Sequence, residues 1–276
     1  VNSDSENSSN YKKDVNYEFL SSVLFKTSYP LIKKGNKNTK YFSPIFSAKY
    51  SPNQTKDISN EDRYISYENI FLMDRFGKND FVEGGQSISL GLEFNNINNS
   101  DGRNIFNFGV AQIYRDNENL DLPEKTNLNQ KTSDLVGNLN IFPTENFGIE
   151  YSFAVDNSLD HNNYNFVKAN LKVNKLVTSF EFLEEDNNFG DKSYLANKTT
   201  FGVNDKNFVS LNTRKNLDKD ITEFYNLIYE YKNNCLTASL EYNKEYYKDV
   251  NLEPEENIFF KLTLKSLGEI SSPSLK

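Results

Sequence analysis

The sequence predicts an all-β fold, an antiparallel transmembrane β-barrel, and three observations support that prediction. Hydrophobic residues make up only 37% of the 276 residues, so a soluble globular domain of this size would bury a poor core. The 17 Tyr and 22 Phe residues far exceed the aromatic content of disordered chains. Segments of roughly ten residues alternate between apolar and polar side chains, as strands do when lipid covers one face and water the other.

The alternating segments number about thirteen and are separated by clusters of turn-forming residues. Their centres lie near residues 22, 45, 90, 109, 137, 151, 168, 181, 199, 211, 226, 241 and 261. We expect residues 16–266 to form the barrel portion, 1–15 a flexible polar lead-in and 267–276 a C-terminal tail. No stretch approaches the roughly 18 uninterrupted apolar residues that a membrane-spanning helix needs, so a membrane role would depend on strands.

Individual segments show the two faces directly. Near residue 90, one face carries Ile88, Leu90, Leu92 and Phe94, and the other carries Ser87, Ser89, Gly91 and Glu93. The last segment opposes Lys261 and Thr263 to an apolar face made of Ile258, Phe260, Leu262 and Leu264. Between the segments centred near 168 and 181, Asn174 and Lys175 predict a tight hairpin turn. Consecutive segments are therefore expected to pair as antiparallel neighbours.

The connections between segments differ in length. Short connections lie near 143–146, 174 and 205, and long ones span 51–85, 115–131 and 248–256. Outer-membrane barrels have short periplasmic turns and long outer loops, and the two kinds alternate here only approximately. A soluble β-sandwich or adhesive β-domain would show a similar periodicity, so the pattern alone leaves that alternative open.

Charge and rare residues argue against several classes of function. The formal net charge of -8 argues against a nucleic-acid partner, because phosphate binding needs clustered Lys and Arg. The single His161 lies in the turn-forming run DHNNYN, and the chain has one Cys, so we expect no zinc site and no catalytic triad. No cofactor, metal or enzymatic activity is expected. Inward lysines such as Lys168 and Lys172 are explained by a wetted face and do not by themselves indicate a binding site.

The run NIFLMDRFGKNDFVEGG, residues 69–85, resembles the opening motif of the LptD family of lipopolysaccharide-assembly outer-membrane proteins, also called organic solvent tolerance proteins. The signature residues here are Asp74, Arg75, Phe76, Asp80 and Glu83. The resemblance continues in the same order through FGVAQIYR, SDLVGNLNIFPTENFGIEYSFAVD and EYKNNCLTASLEYNKEYY. Upstream, YPLIKKGNKNTKYFSPIFSAKYSP is similar to the family's pair of proline-bearing segments, so the resemblance covers nearly all of 16–266.

The resemblance implies a location, a function and partners. The chain would be the C-terminal half of a barrel of about twenty-six strands in the cell outer membrane. It would carry lipopolysaccharide through the lumen and release it sideways into the outer leaflet. An LptE-type plug lipoprotein and a missing N-terminal jelly-roll, which contacts the periplasmic Lpt bridge, would complete the assembly. A general porin or diffusion channel is the alternative, and it would need a complete, even-stranded barrel.

The resemblance also gives roles to single residues. Cys235 would form the family's disulfide to the jelly-roll, although an unpaired buried thiol is an equally good interpretation. The segment containing Ile258, Phe260, Leu262 and Leu264 would be the last strand and one side of a lateral gate. For the charged signature residues, Asp74, Arg75, Asp80 and Glu83, we expect a structural role through ion pairs in a long loop, in preference to catalysis or metal binding.

Overall fold

The computed structural model describes residues 19–246, 254–264 and 268–271. The strands are β1 Val23–Ser28, β2 Leu31–Lys34, β3 Asn38–Ser51, β4 Gly85–Asn98, β5 Asn104–Arg115, β6 Leu135–Thr144, β7 Phe147–Val155, β8 Asn162–Val173, β9 Leu176–Glu185, β10 Ser193–Gly202, β11 Asn207–Asn216, β12 Ile221–Lys232, β13 Leu236–Glu245, β14 Glu256–Leu264 and β15 Gly268–Ser271. Two short 3-10 helices span Lys125–Asn127 and Asn187–Phe189. Within the described ranges, no helix has the length and apolar character that crossing a membrane requires.

All of these strands belong to one antiparallel sheet, in which each strand pairs with its neighbour in sequence. The exception lies at the first edge, where β1 and β2 both pair with β3 along different parts of its length. Tyr29 and Pro30 separate β1 from β2, and Pro30 has no N–H to donate to a ladder. The two segments together therefore act as one broken edge strand.

The predicted all-β, antiparallel fold is confirmed, in a continuous sheet of the kind that forms β-barrels. Each predicted centre lies in a strand or next to one. Two short strands were not predicted: β2, beyond the proline break, and β15, which lies within the segment 267–276 that we expected to be a tail. The predicted lead-in 1–15 lies outside the described residues.

The two ends of the sheet differ in the length of their connections. At one end, residues 52–84 join β3 to β4 and residues 116–134 join β5 to β6. At the other end, turns such as 145–146, 174–175 and 233–235 are short. Long connections therefore gather at a single end, as in outer-membrane barrels, where that end faces outward and the short turns face the periplasm.

The two faces of the sheet differ in chemistry. The outer face carries exposed apolar side chains along its whole width, from Phe46 on β3 to Leu227 on β12 and Phe260 on β14. The inner face of β3–β6 is buried instead, because residues 52–84 and 116–134 fold back over it. We call these two loops the inner plug. Its buried apolar residues include Ile58, Ile65, Ile70, Phe71, Leu122 and Leu128.

Candidate functional site

The inner plug is held together by contacts between its two loops. The backbone N–H of Ile58 donates to the carbonyl of Asp121 at 2.8 Å. The N–H of Ile65 donates to Thr126 Oγ1 at 3.1 Å. Each fully buried Ile or Leu side chain adds about 1.5–3 kcal/mol of hydrophobic stabilisation. The plug is therefore a folded unit with its own small core, seated on β3–β6.

Aromatic rings of the plug lie directly against the sheet at glycines. A Cβ atom added at Gly91 on β4 would lie 2.5 Å from Phe71 Cζ and 3.0 Å from Ala111 Cβ. A Cβ atom at Gly109 on β5 would overlap the ring of Tyr67. Only glycine leaves room for rings this close to a backbone.

A buried ionic cluster joins the plug to three strands. Glu83 from the plug binds Lys49 on β3 at 2.9 Å and Arg75 from the plug at 3.4 Å, and it also pairs with Arg115 on β5. The side chains of Glu83, Arg75, Lys49 and Arg115 are 2%, 0%, 4% and 4% exposed. Three cations thus converge on one carboxylate that has almost no contact with solvent.

Arg75 extends the cluster onto β4. Its Nη2 donates to the hydroxyl oxygens of Ser87 and Ser89, both at 3.2 Å. Ser87 and Ser89 face inward on β4, and the residues that alternate with them face outward. Small hydroxyl side chains at these positions leave space for the guanidinium and accept its hydrogen bonds.

The electrostatics of Glu83 follow from its three partners. Burial alone would raise the pKa of its carboxyl, because a charged group is costly in a low dielectric. The attraction of Arg75, Arg115 and Lys49 overcomes that effect and holds the pKa of Glu83 well below its ordinary value. Glu83 is therefore an anion at any physiological pH, and it serves as the counter-charge of the cluster.

The remaining signature residues shape the loop and lie outside the ionic cluster. Asp74 accepts hydrogen bonds from the N–H groups of Phe76 and Gly77 at 3.0 and 2.9 Å, which closes a turn. Phe76 packs edge-on against Phe81, with ring centroids 5.3 Å apart. Asp80 has a left-handed backbone conformation, with φ of 56°. The structure thus brings together Arg75 and Glu83, and it gives the other three local roles.

Sequence reasoning did not identify Lys49 and Arg115 as members of the cluster. Both are charged residues at inward positions of strands. The sequence signal was a lysine among small inward residues on β3 and an arginine that ends the FGVAQIYR run. In the described part of the chain, no group of three or more His, Cys, Asp or Glu side chains could hold a metal ion.

Cys235 and the predicted last strand lie far from the plug. Cys235 is exposed in the turn 233–235, at the end of the sheet where connections are short. On β14, Ile258 and Phe260 are exposed on the outer face. β14 is followed by β15, which pairs with Lys261–Leu264, so β14 is not the outermost strand of the described sheet.

The inner face of β8–β13, which we call the open wall, is not covered by the plug in the described part of the chain, except at the start of β8, where Tyr64 of the plug packs against Tyr164. It borders a groove of about 750 Å³ lined mainly by polar side chains. Lys168 pairs there with Glu181 at 2.8 Å. The open wall therefore presents hydrogen-bonding groups along the groove, on the opposite side of the strands from the apolar outer face.

Comparison with known protein families agrees with this architecture. The family model described as "LptD: LPS transport system D" matches residues 2–181, which is more than half of the chain. No curated protein matches the sequence. The matched region includes the signature motif, the whole inner plug and the strands from β1 to β8. This chain belongs to the LptD family, whose role is the transport and assembly of lipopolysaccharide in the outer membrane.

Proposed function

We propose that this chain forms part of an outer-membrane translocon that passes the saccharide part of lipopolysaccharide through its lumen and releases the lipid sideways into the outer leaflet. The observation that carries the proposal is the pairing of an apolar outer face with an open polar groove inside the same strands. A molecule with acyl chains and a sugar chain matches both surfaces. The outer face suits lipid, and the open wall suits hydroxyl groups.

The proposal includes no covalent chemistry. The most strongly perturbed carboxylate outside the strands, Glu83, is enclosed by Arg75, Lys49 and Arg115 and cannot reach a substrate in the groove. Its arrangement supports a fixed scaffold for the plug. A general diffusion channel, the alternative from the sequence pattern, is not favoured by membership of a transport family for lipopolysaccharide.

Lateral release needs a seam that opens at low cost, and the edge formed by β15 beside β14 supports one side of such a seam. The broken strand at Tyr29 and Pro30 forms one edge, and the short strand β15 beside β14 forms the other. Within the described ranges no ladder joins these two edges. We propose that the sheet is one part of a larger barrel, with the β14 residues Ile258, Phe260, Leu262 and Leu264 near the gate. Its placement as the C-terminal half is part of this proposal and rests on the sequence resemblance alone.

The proposed partners come from the sequence resemblance. An LptE-type lipoprotein would enter the lumen beside the open wall, and an N-terminal jelly-roll would connect the barrel to the periplasmic Lpt bridge. Cys235 lies at the end with short turns, which in outer-membrane barrels faces the periplasm. That position supports a disulfide from Cys235 to the jelly-roll. Cys235→Ser should then remove the oxidation-dependent change in mobility of the full-length protein on a denaturing gel.

Depletion of the full-length protein in its host cell tests the function itself. We expect lipopolysaccharide at the cell surface to fall and to accumulate in inner compartments, measured by surface labelling and membrane fractionation. If surface lipopolysaccharide stays constant while uptake of small hydrophilic solutes falls, the chain is a diffusion channel and the proposal is wrong.

A further inference from the structure

The open wall contains one row of side chains that crosses six strands in register. Direct Cα partners link Asn170 to Ser179, Ser179 to Lys198, Lys198 to Asn212, Asn212 to Asn226 and Asn226 to Asn243. We call these six residues, Asn170, Ser179, Lys198, Asn212, Asn226 and Asn243, the polar row. All of them line the groove, and five carry uncharged amide or hydroxyl groups.

The rows on either side differ from the polar row. The row nearer the long loops contains Ala196 and Phe224, together with the ion pair of Lys168 and Glu181. The row nearer the short turns contains Val177 and Ile228. Each flanking row also has four polar or charged side chains, including Arg214 and Glu245 in the first and Thr200 and Ser210 in the second. The polar row differs in that no apolar side chain interrupts it.

Lys168 and Lys198 are the lysines that line the groove, and of these two only Lys168 has an ion-pair partner among the described residues. On the same wall, Lys168 pairs with Glu181 and Arg214 pairs with Glu223. No carboxylate forms a salt bridge with Lys198 within the residues that the structure describes. Beside it, Asn212 Oδ1 is buried and has no hydrogen-bond partner. Two directly paired positions of the groove thus carry an ammonium group without a salt bridge, on Lys198, and an amide oxygen without a hydrogen bond, on Asn212.

We propose that the polar row binds an anionic oligosaccharide that lies across the strands, with Lys198 contacting its phosphate or carboxylate group. Strands are spaced about 4.8 Å apart, so the row extends about 24 Å, enough for several sugar rings. Amides and hydroxyls both donate to and accept from sugar hydroxyls, and a lysine ammonium binds an anion as a point charge. This inference rests on the proposed function and names the chemical group that the lumen recognises.

The test measures binding of deacylated lipopolysaccharide oligosaccharide to the purified full-length protein. Three fluorescent forms of the probe are compared: untreated, phosphatase-treated and carboxyl-reduced. We expect Lys198→Gln to weaken binding of the untreated probe about tenfold, the effect of one charge-assisted hydrogen bond. One treatment removes the group that Lys198 contacts, and the probe treated in that way should bind wild type and Lys198→Gln equally. The treatment with this result identifies the contacted group as phosphate or as carboxylate.

Lys172→Gln is the matched control. Lys172, on β8, is an inward lysine like Lys198, but its Cα partner on β9 is Val177 and it lies outside the polar row. It should leave binding unchanged. Asn212→Ala should weaken binding of all three probes, since it removes an amide that contacts a sugar hydroxyl group present in each probe. The inference is overturned if Lys198→Gln has no effect or if Lys172→Gln lowers affinity equally. Neither result bears on the depletion experiment, which tests the proposed function separately through the amount of surface lipopolysaccharide.

Discussion

The sheet has two inner regions that differ although their outer faces are alike. Over β3–β6 the inner side chains are small or charge-compensated and lie beneath the plug. Over β8–β13 they face an open groove whose lining is mostly polar, with five asparagines and four charged residues. The outer faces match because both carry exposed apolar side chains. The difference between the two inner faces indicates two separate roles. The inner face of β3–β6 supports a fixed plug, and the inner face of β8–β13 lines a path.

The largest expected effect comes from removing the charge at the centre of the plugged region. Glu83→Gln leaves Lys49, Arg75 and Arg115 buried without a counter-charge, and we expect a loss of about 3–5 kcal/mol in stability. The measurement is the temperature at which the detergent-folded protein loses its compact gel mobility. Glu61→Gln is the control: its pairs with Arg63 and Lys78 are partly exposed, so the loss should stay below about 1 kcal/mol.

Arg75→Ala should have the next largest effect, a loss of about 2–3 kcal/mol with lower yield of assembled protein. Glu83 keeps Lys49 and Arg115 as partners, but Ser87 and Ser89 lose their donor. Arg75→Lys should recover only part of the loss, because an ammonium cannot reach both hydroxyls and the carboxylate. A variant that assembles normally and yet fails in transport would show that Arg75 acts on the path and not on the plug.

Gly91→Ala should cost about 1–3 kcal/mol, because the new methyl group would displace the ring of Phe71 from the sheet. Gly202→Ala is the matched change on β10, in the unplugged part of the sheet. Its Cβ would meet its nearest neighbours at 3.5 Å, an ordinary contact distance. Thermal unfolding of both variants compares the two regions directly, and equal losses would contradict the tight seating of the plug.

The smallest effect is the pH dependence of the plug. The pKa of Glu83 is lower in the folded protein than in the unfolded chain, so its stabilisation is complete above the unfolded value of about 4.3. That stabilisation is lost as pH falls through the folded pKa. The stability advantage of wild type over Glu83→Gln should therefore be constant from pH 7 to pH 5 and shrink in stronger acid. An advantage that shrinks already between pH 7 and pH 5 would contradict the ion-pair assignment.

The two regions also differ in how far the sequence could predict them. Alternation with a period of two located the strands throughout, because each strand shows it independently when one of its faces is apolar and the other polar. The motif identified Arg75 and Glu83, but Lys49 and Arg115 lie 34 and 32 residues from Glu83 and meet it only after the sheet forms. The polar row was equally hidden, since its members are neighbours only through strand register. β2 and β15 are too short for periodicity to reveal.

The nearest-neighbour order of the strands has a consequence for how the protein assembles. Almost every ladder joins segments that are consecutive in the chain, so each new strand closes only the loop that precedes it. Loop closure costs little extra entropy as a loop grows, and even the long connection 52–84 adds only about 2.5 kcal/mol over a two-residue turn. The sheet can therefore grow one hairpin at a time from a single exposed edge. Growth in that order gives a low contact order, with a partner strand always available beside the newest one.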